Sequence, residues 1–131
     1  MGGGTQIRVL LMDDEDCVRG AVGQMLSRLG YDVEAACDGS EAVAAFAKAH
    51  REGRPFAAAI LDLSVRGGLG GIATLTALKQ IDPQVRAAVS TGYISDETGG
   101  DLRSQGFSAV LLKPYSLEEL ASVTAQLAGR P

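Results

Sequence analysis

The sequence predicts an α/β domain built on a doubly wound, mostly parallel sheet, and three observations lead there. Short apolar runs of strand length alternate with segments whose apolar residues recur at helical spacing. The order is β then α, repeated about five times, which calls for right-handed crossovers over a parallel sheet. Acidic, hydroxyl and lysine residues stand at the ends of several apolar runs, on the rim where open parallel sheets bind ligands.

The elements follow in order. Residues 1–6 read as a flexible leader or linker, because Gly2, Gly3 and Gly4 pack nothing and lose much entropy on ordering. The first strand is Ile7 to Met12. Val18, Val22, Met25 and Leu29 then mark a one-faced helix. Tyr31, Val33 and Ala35 alternate with polar neighbours and predict a half-exposed strand near a sheet edge. An alanine-rich helix from about Ser40 to Ala49 ends before the turn at Gly53, Arg54 and Pro55. Ala57 to Leu61 is the third strand, and Ile72, Leu75, Leu78 and Ile81 stripe the third helix. Val85 to Val89 and Ala109 to Leu112 are the fourth and fifth strands, and Leu117, Leu120, Val123 and Leu127 stripe the last helix.

One segment breaks the pattern. Ser95 to Gln105 should be the fourth helix, yet it holds Gly99 and Gly100 and almost no apolar face. Each glycine costs about 1 kcal/mol relative to alanine in a helix interior, so this helix is expected to be the least stable.

Composition narrows the function. The chain of 131 residues fits one domain and can bury a core; 46% hydrophobic and 21% charged residues fit a soluble globular protein. No apolar run approaches a membrane span, the start lacks the parts of a signal peptide, and the cytoplasm is the expected location. Cys17, Cys37 and the single His50 fall in no metal-ligand spacing. A net charge of −4 without a basic stripe argues against direct nucleic-acid binding.

The chemistry gathers at the strand ends. Strand one ends in Asp13 and Asp14, strand three in Asp62, strand four in Ser90 and Thr91, and strand five in Lys113 followed by Pro114. Two like charges about 4 Å apart repel by roughly 4 kcal/mol at an effective dielectric near 20, so three carboxylates need cations beside them. Lys113 offers one, and a hard divalent ion such as Mg²⁺ suits a site of few carboxylates, waters and a phosphate. Phosphoryl transfer asks for that setting. Taken singly, Asp14 or Asp16 reads as a cap for the helix beginning near Cys17, and Asp62 as a turn residue. Their joint placement favours the functional reading.

Four tetrapeptides carry a family resemblance: Met12-Asp13-Asp14-Glu15, Ile60-Leu61-Asp62-Leu63, Ser90-Thr91-Gly92-Tyr93 and Leu112-Lys113-Pro114-Tyr115. In this order and spacing, they make the stretch from Ile7 to Leu127 resemble the CheY-like receiver domain of bacterial two-component response regulators, a doubly wound example of the flavodoxin-like fold. The resemblance implies strand order 2-1-3-4-5 and a receiver domain over residues 7–128. It implies Asp62 as phosphoacceptor, Asp14 as a direct Mg²⁺ ligand, Asp13 as a ligand acting largely through water, and the Ser64 backbone carbonyl completing the protein's share of the metal shell. Thr91 and Lys113 are to meet the phosphoryl group, and Pro114 is to follow a cis peptide bond with Lys113. A histidine kinase or histidine phosphotransfer protein is the implied partner, with a homodimer through the face of the fourth and fifth helices as a further possibility.

Two positions depart from the family pattern. The residue three before the lysine, usually an aromatic rotamer switch, is Val110, and Tyr93 reads equally as the aromatic that moves instead or as an ordinary surface residue. The loop after Asp62 commonly has a Met-Pro pair, where Val65-Arg66 precede Gly67-Gly68. That loop is expected to be more mobile, with Arg66 read either as a solvated arginine, which is preferred, or as one that reaches the phosphoryl group or a partner.

Competing readings remain. A receiver-like module that works by docking alone would not need the full acidic, hydroxyl and lysine set. A Mg²⁺-dependent aspartyl phosphatase commonly has a second aspartate two residues after the first, where Ser64 stands, and a nucleotide or flavin carrier would need a glycine-rich loop after strand one. No enzymatic activity is expected beyond the domain's own phosphorylation and dephosphorylation. The sequence ends after the fifth helix, which reads as either a free-standing regulator or a piece of a larger protein, with a hybrid histidine kinase preferred.

Overall fold

In the computed structural model, residues 6–92 and 101–129 are described. Five parallel strands, β1 (Arg8–Met12), β2 (Asp32–Ala36), β3 (Ala58–Asp62), β4 (Ala87–Thr91) and β5 (Ala109–Leu112), form one sheet in the order β2-β1-β3-β4-β5. The expected strand order is the observed one. The helices are α1 (Asp16–Arg28), α2 (Gly39–Arg51), α3 (Gly71–Ile81), a helical turn over residues 101–104 taken as α4, and α5 (Leu117–Ala128). Of the expected weak helix, Ser95 to Gly100 lie outside the described residues.

Side chains alternate across each strand, so β1 feeds two cores at once. Leu10 and Met12 join Phe46 of α2, Leu75 and Leu78 of α3, and Leu102 of α4 on one face. Val9 and Leu11 join Val22 and Leu26 of α1, with Leu120 and Leu127 of α5, on the other. Each fully buried leucine contributes about 1.5–3 kcal/mol relative to exposure, so both layers hold the sheet. The central strands β3 and β4 are buried throughout, as continuous apolar runs require.

Three apolar residues fall outside their expected faces. Ile72 and Leu117, counted in the helix stripes, sit in the first turns of α3 and α5 and are exposed, while Leu26 of α1 is fully buried. In β2, an edge strand as expected, Ala35 is exposed and Ala36 is buried against the α2 face.

Local chemistry sets the helix ends. Asp38 caps α2 by accepting from the Glu41 N–H at 2.9 Å, and Glu41 Oε1 accepts from the Cys37 N–H at 2.9 Å. Ser116 and Glu119 form a capping box at α5, which ends at Gly129 in a left-handed conformation with φ of 71°. Gly70 and Gly71 allow the β3–α3 loop to fold back onto its own strand. A Cβ at Gly70 would meet the Leu63 oxygen at 2.6 Å, and one at Gly71 the Asp62 oxygen at 2.8 Å.

Candidate active site on the carboxyl rim of the sheet

Parallel pairing aligns the strand ends. Met12 lies beside Leu61, Asp62 beside Ser90 and Thr91 beside Leu112, so the residues that follow emerge on one rim. Backbone bonds continue the pairing there: the Leu63 N–H donates to Ser90 O at 2.9 Å and the Lys113 N–H to Thr91 O at 2.7 Å. The rim opens into a cleft of about 750 Å³ lined by Asp14, Asp62, Ser64, Arg66, Thr91 and Lys113, among others.

Carboxylate oxygens of Asp13, Asp14 and Asp62 all lie within 4.8 Å of one another. Lys113 Nζ donates to Asp13 Oδ2 at 2.9 Å and stands 3.4 Å from Asp62 Oδ1. Asp13 and Asp62 are buried, Asp14 half-buried. One ammonium thus touches two of the three clustered acids, Asp13 and Asp62.

The imbalance shows in proton affinity. Burial, then the neighbouring Asp13 charge, pushes the Asp62 carboxyl up to about 6, although Lys113 opposes the rise. Asp14 moves the other way, chiefly because the Arg66 backbone N–H donates to its Oδ2 at 3.2 Å. Burial works against the Lys113 ammonium, but the Asp13 hydrogen bond and the Asp62 and Asp13 charges outweigh it and hold the pKa above its usual value. Tyr115 is pushed up to about 12 by burial and by the Asp13 and Asp62 charges, so its phenol stays protonated at neutral pH.

The donor set fits a hard divalent cation. It offers oxygen only, carries more negative charge than Lys113 balances, and opens onto a cleft with room for water and phosphate. The capping explanation for the acidic pair does not hold. The N-cap of α1 is Glu15, without a side-chain cap, and the Glu15 N–H donates to Asp13 Oδ1 at 2.9 Å.

Other expected residues fall as follows. Ser64 lines the cleft, and its backbone amide works against the rise in the Asp62 pKa. Thr91 is buried at the end of β4. The Lys113–Pro114 peptide is cis. Val110 is half-buried against the α2–α3 core beside Val89. Tyr93 lies outside the described residues, as does part of the fourth-helix face invoked for a homodimer. Arg66 is exposed, and its loop is tied by the Arg66 bond to Asp14 and by the Gly39 N–H donating to Leu69 O at 3.1 Å.

Two contacts escaped the sequence reading. The Arg66 backbone amide carries no sequence signal, because any residue but proline has one. Arg19 donates from Nη1 to the Asp13 carbonyl at 2.8 Å. Its position three residues after Asp16, in the first turn of a helix opening at the acidic pair, was the available clue.

No described helix is long and apolar enough to cross a membrane. The chain is 33% identical over 130 residues to the transcriptional regulatory protein PrrA of Mycobacterium tuberculosis, covering 98% of this chain and 52% of that one. It is 32% identical over 121 residues to the transcriptional regulatory protein TrcR of the same organism, covering 91% and 44%. The chain thus spans about half the length of these relatives. A CheY-like receiver domain protein from Methanospirillum hungatei superposes with a TM-score of 0.80 at 25% identity, over 95% of this chain and 96% of that one. The chemotaxis protein CheY4 of Vibrio cholerae gives 0.82 at 26%, over 94% and 99%. Residues 9–125 match the response regulator receiver domain, and with that match the chain belongs to the receiver-domain family of two-component response regulators, on the CheY-like fold.

Proposed function

We propose that this chain is the phosphoacceptor of a two-component phosphorelay, with Asp62 taking a phosphoryl group from a phosphohistidine of a histidine kinase or histidine phosphotransfer protein. The observation that carries this reading is the Asp13, Asp14 and Asp62 cluster, with Lys113 at 2.9 and 3.4 Å, on one open cleft.

In the proposed reaction an Asp62 carboxylate oxygen attacks phosphorus in line. The O–P bond forms as the P–N bond breaks, and the imidazole, already protonated on its other ring nitrogen, leaves as the neutral histidine side chain of the donor. Attack needs the ionised carboxylate, and with a pKa of about 6 Asp62 is largely ionised at neutral pH. Asp13, Asp14, Asp62 and the Ser64 carbonyl are the proposed holders of Mg²⁺, which when bound neutralises charge on the phosphoryl oxygens. Lys113, 3.4 Å from Asp62, is the proposed partner of a phosphoryl oxygen, exchanging part of its contact with Asp62. The Thr91 hydroxyl, at the end of the neighbouring strand, is the proposed second donor. Water then cleaves the acyl phosphate slowly and restores the carboxylate. Movement of Thr91 and Lys113 toward the added charge is the proposed output signal, with Val110 and Tyr93 as switch positions. On this reading the domain over residues 7–128 works in the cytoplasm alongside its phosphoryl donor.

Intact mass after incubation with acetyl phosphate and Mg²⁺ tests the proposal. Wild type should gain one phosphoryl group and Asp62→Asn none. Equal labelling moves the acceptor elsewhere, and no labelling of wild type favours a docking module that is never phosphorylated.

A further inference from the structure

We infer that Arg19 is a positioning residue for the divalent-cation site, an inference that rests on the Mg²⁺ site proposed above. Its guanidinium spans two partners. Nη1 donates to the Asp13 carbonyl at 2.8 Å and Nη2 pairs with the Asp16 carboxylate, with the side chain only 23% exposed.

The Asp13 carbonyl belongs to the peptide plane that leads into Asp14. One rigid unit therefore joins the two adjacent acids, and rotating it moves Asp14 relative to Asp62. Asp13 itself is held independently of Arg19. Its N–H donates to Ala36 O at 3.1 Å, its Oδ1 accepts from the Glu15 N–H at 2.9 Å, and its Oδ2 accepts from Lys113 at 2.9 Å. Asp14 has less support: its Oδ2 takes the 3.2 Å bond from the Arg66 N–H, and the neighbouring Asp62 carboxyl favours it by hydrogen bonding only while one of the two acids holds a proton, and repels it when both are ionised. The orientation of the 13–14 peptide thus governs where Asp14 presents its oxygens, and Arg19 is the side chain that holds that peptide.

Only a planar fork serves both partners. A lysine at this position keeps the charge but supplies a single ammonium that cannot hold a carbonyl and a carboxylate in fixed relation. The simpler alternative is that Arg19 merely staples the first turn of α1 through Asp16. The two roles separate, because removing Asp16 deletes the staple and leaves the carbonyl bond.

The test is Mn²⁺ affinity of the full chain, read as free Mn²⁺ by electron paramagnetic resonance, with folding checked by urea unfolding. Wild type should bind one ion, and Asp14→Asn should bind it much more weakly. Groups that orient metal ligands are worth about 10- to 100-fold in affinity, so Arg19→Ala should weaken Mn²⁺ about 10-fold, and Arg19→Lys nearly as much. Asp16→Ala should change affinity by less than about 2-fold, since it touches no proposed ligand. Should Arg19→Ala fail to fold, Arg19→Lys and Arg19→Gln carry the comparison, and Arg19→Lys binding as wild type overturns the inference. Equal weakening by Asp16→Ala and Arg19→Ala also overturns it, in favour of the staple. If wild type binds no Mn²⁺, the cation site itself fails and the inference with it, whereas wild-type binding unchanged in Arg19→Ala overturns the inference alone.

Discussion

The two ends of the sheet treat charge in opposite ways. At the amino end, Arg8 at the start of β1 lies 4.3 Å from the Phe56 ring centroid, donates to Arg54 O at 2.6 Å and pairs with Glu34 at 3.0 Å. Its Nε stands 3.3 Å from Asp32, close enough for an ion contact though not aligned as a hydrogen bond. Arg54 meets the same Asp32 at 3.7 Å. Two cations answer two carboxylates, and the structure is self-sufficient there. At the carboxyl end, among the described residues, Lys113 meets two carboxylates of a cluster of three, and Arg19 reaches only the Asp13 backbone carbonyl. Local neutrality marks the end that holds the fold together, and local excess marks the end left to take up a ligand.

Breaking the balanced end should give the largest stability effect. Arg8→Ala removes a stacked and largely buried guanidinium and leaves Asp32 and Glu34 at an edge strand with less compensation. Both acids are substantially exposed, which limits the ionic share, so the expected loss is about 2 kcal/mol, most of it stacking and packing. Urea unfolding should show a lower midpoint at unchanged slope. An unchanged midpoint would mean that the cage is ornamental and the contrast between the ends is false.

At the unbalanced end, removing a charge should stabilise the metal-free protein. Asp62 has a folded pKa of about 6 against an ordinary value of 3.8, so the folded state holds its proton more tightly than the unfolded state. The stability this contributes is fully present below about pH 4 and is lost as pH rises through 6. Above pH 6 the ionised carboxylate is a net cost, on the order of 1–2 kcal/mol once solvent screening at the open cleft is allowed for. Asp62→Asn should therefore raise metal-free stability by about that much at pH 7.5, and the gain should fade toward pH 4. Urea midpoints for both proteins across this range check it. A gain independent of pH would separate the effect from Asp62 ionisation. Millimolar Mg²⁺ should shrink the gain, because wild type recovers stability by binding the ion and the variant recovers less.

How legible these features were in the sequence depends on the range of the force involved. Strand identity followed from apolar runs such as Ala57 to Leu61, since burial on both faces leaves a one-dimensional trace, whereas strand order came with the family resemblance. The carboxyl rim was legible for the same reason: parallel strands aligned by their hydrophobic register must end together, and Asp13, Asp62 and Lys113 stand where they end. Helix faces were less so. Ile72 and Leu117 fit the 3.6-residue period, yet both sit in exposed first turns, and periodicity cannot say which turn of a helix is covered. In α3, Thr74 rather than Ile72 is buried, with its hydroxyl donating to Gly70 O at 2.7 Å, so a polar residue fills a core position by satisfying itself locally. The Arg8 cage was not legible at all. It joins residues from β1, β2 and the turn before β3 that no periodic signal links.

The smallest predicted effect is the sharpest test of the unbalanced end, because it divides acids that share a cluster. Asp14 has a folded pKa below its ordinary value, chiefly through the Arg66 N–H, so the fold favours its ionised form. The stability it contributes is present above the unfolded pKa and is lost as pH falls through the lower folded one, the reverse of Asp62. Without metal, Asp14→Asn should therefore be neutral or slightly destabilising at pH 7.5, within about 0.5 kcal/mol, as for other partly exposed positions. Opposite signs for Asp14→Asn and Asp62→Asn, measured side by side by urea unfolding, would show that the excess charge falls on the buried acceptor. Equal stabilisation by both would instead mean that repulsion is spread evenly over the cluster, and Asp62 would lose its distinction as the strained acid. With saturating Mg²⁺ the order should change. Asp14→Asn then forfeits a proposed direct ligand and should become clearly destabilised relative to wild type, while its metal-free stability stays as before.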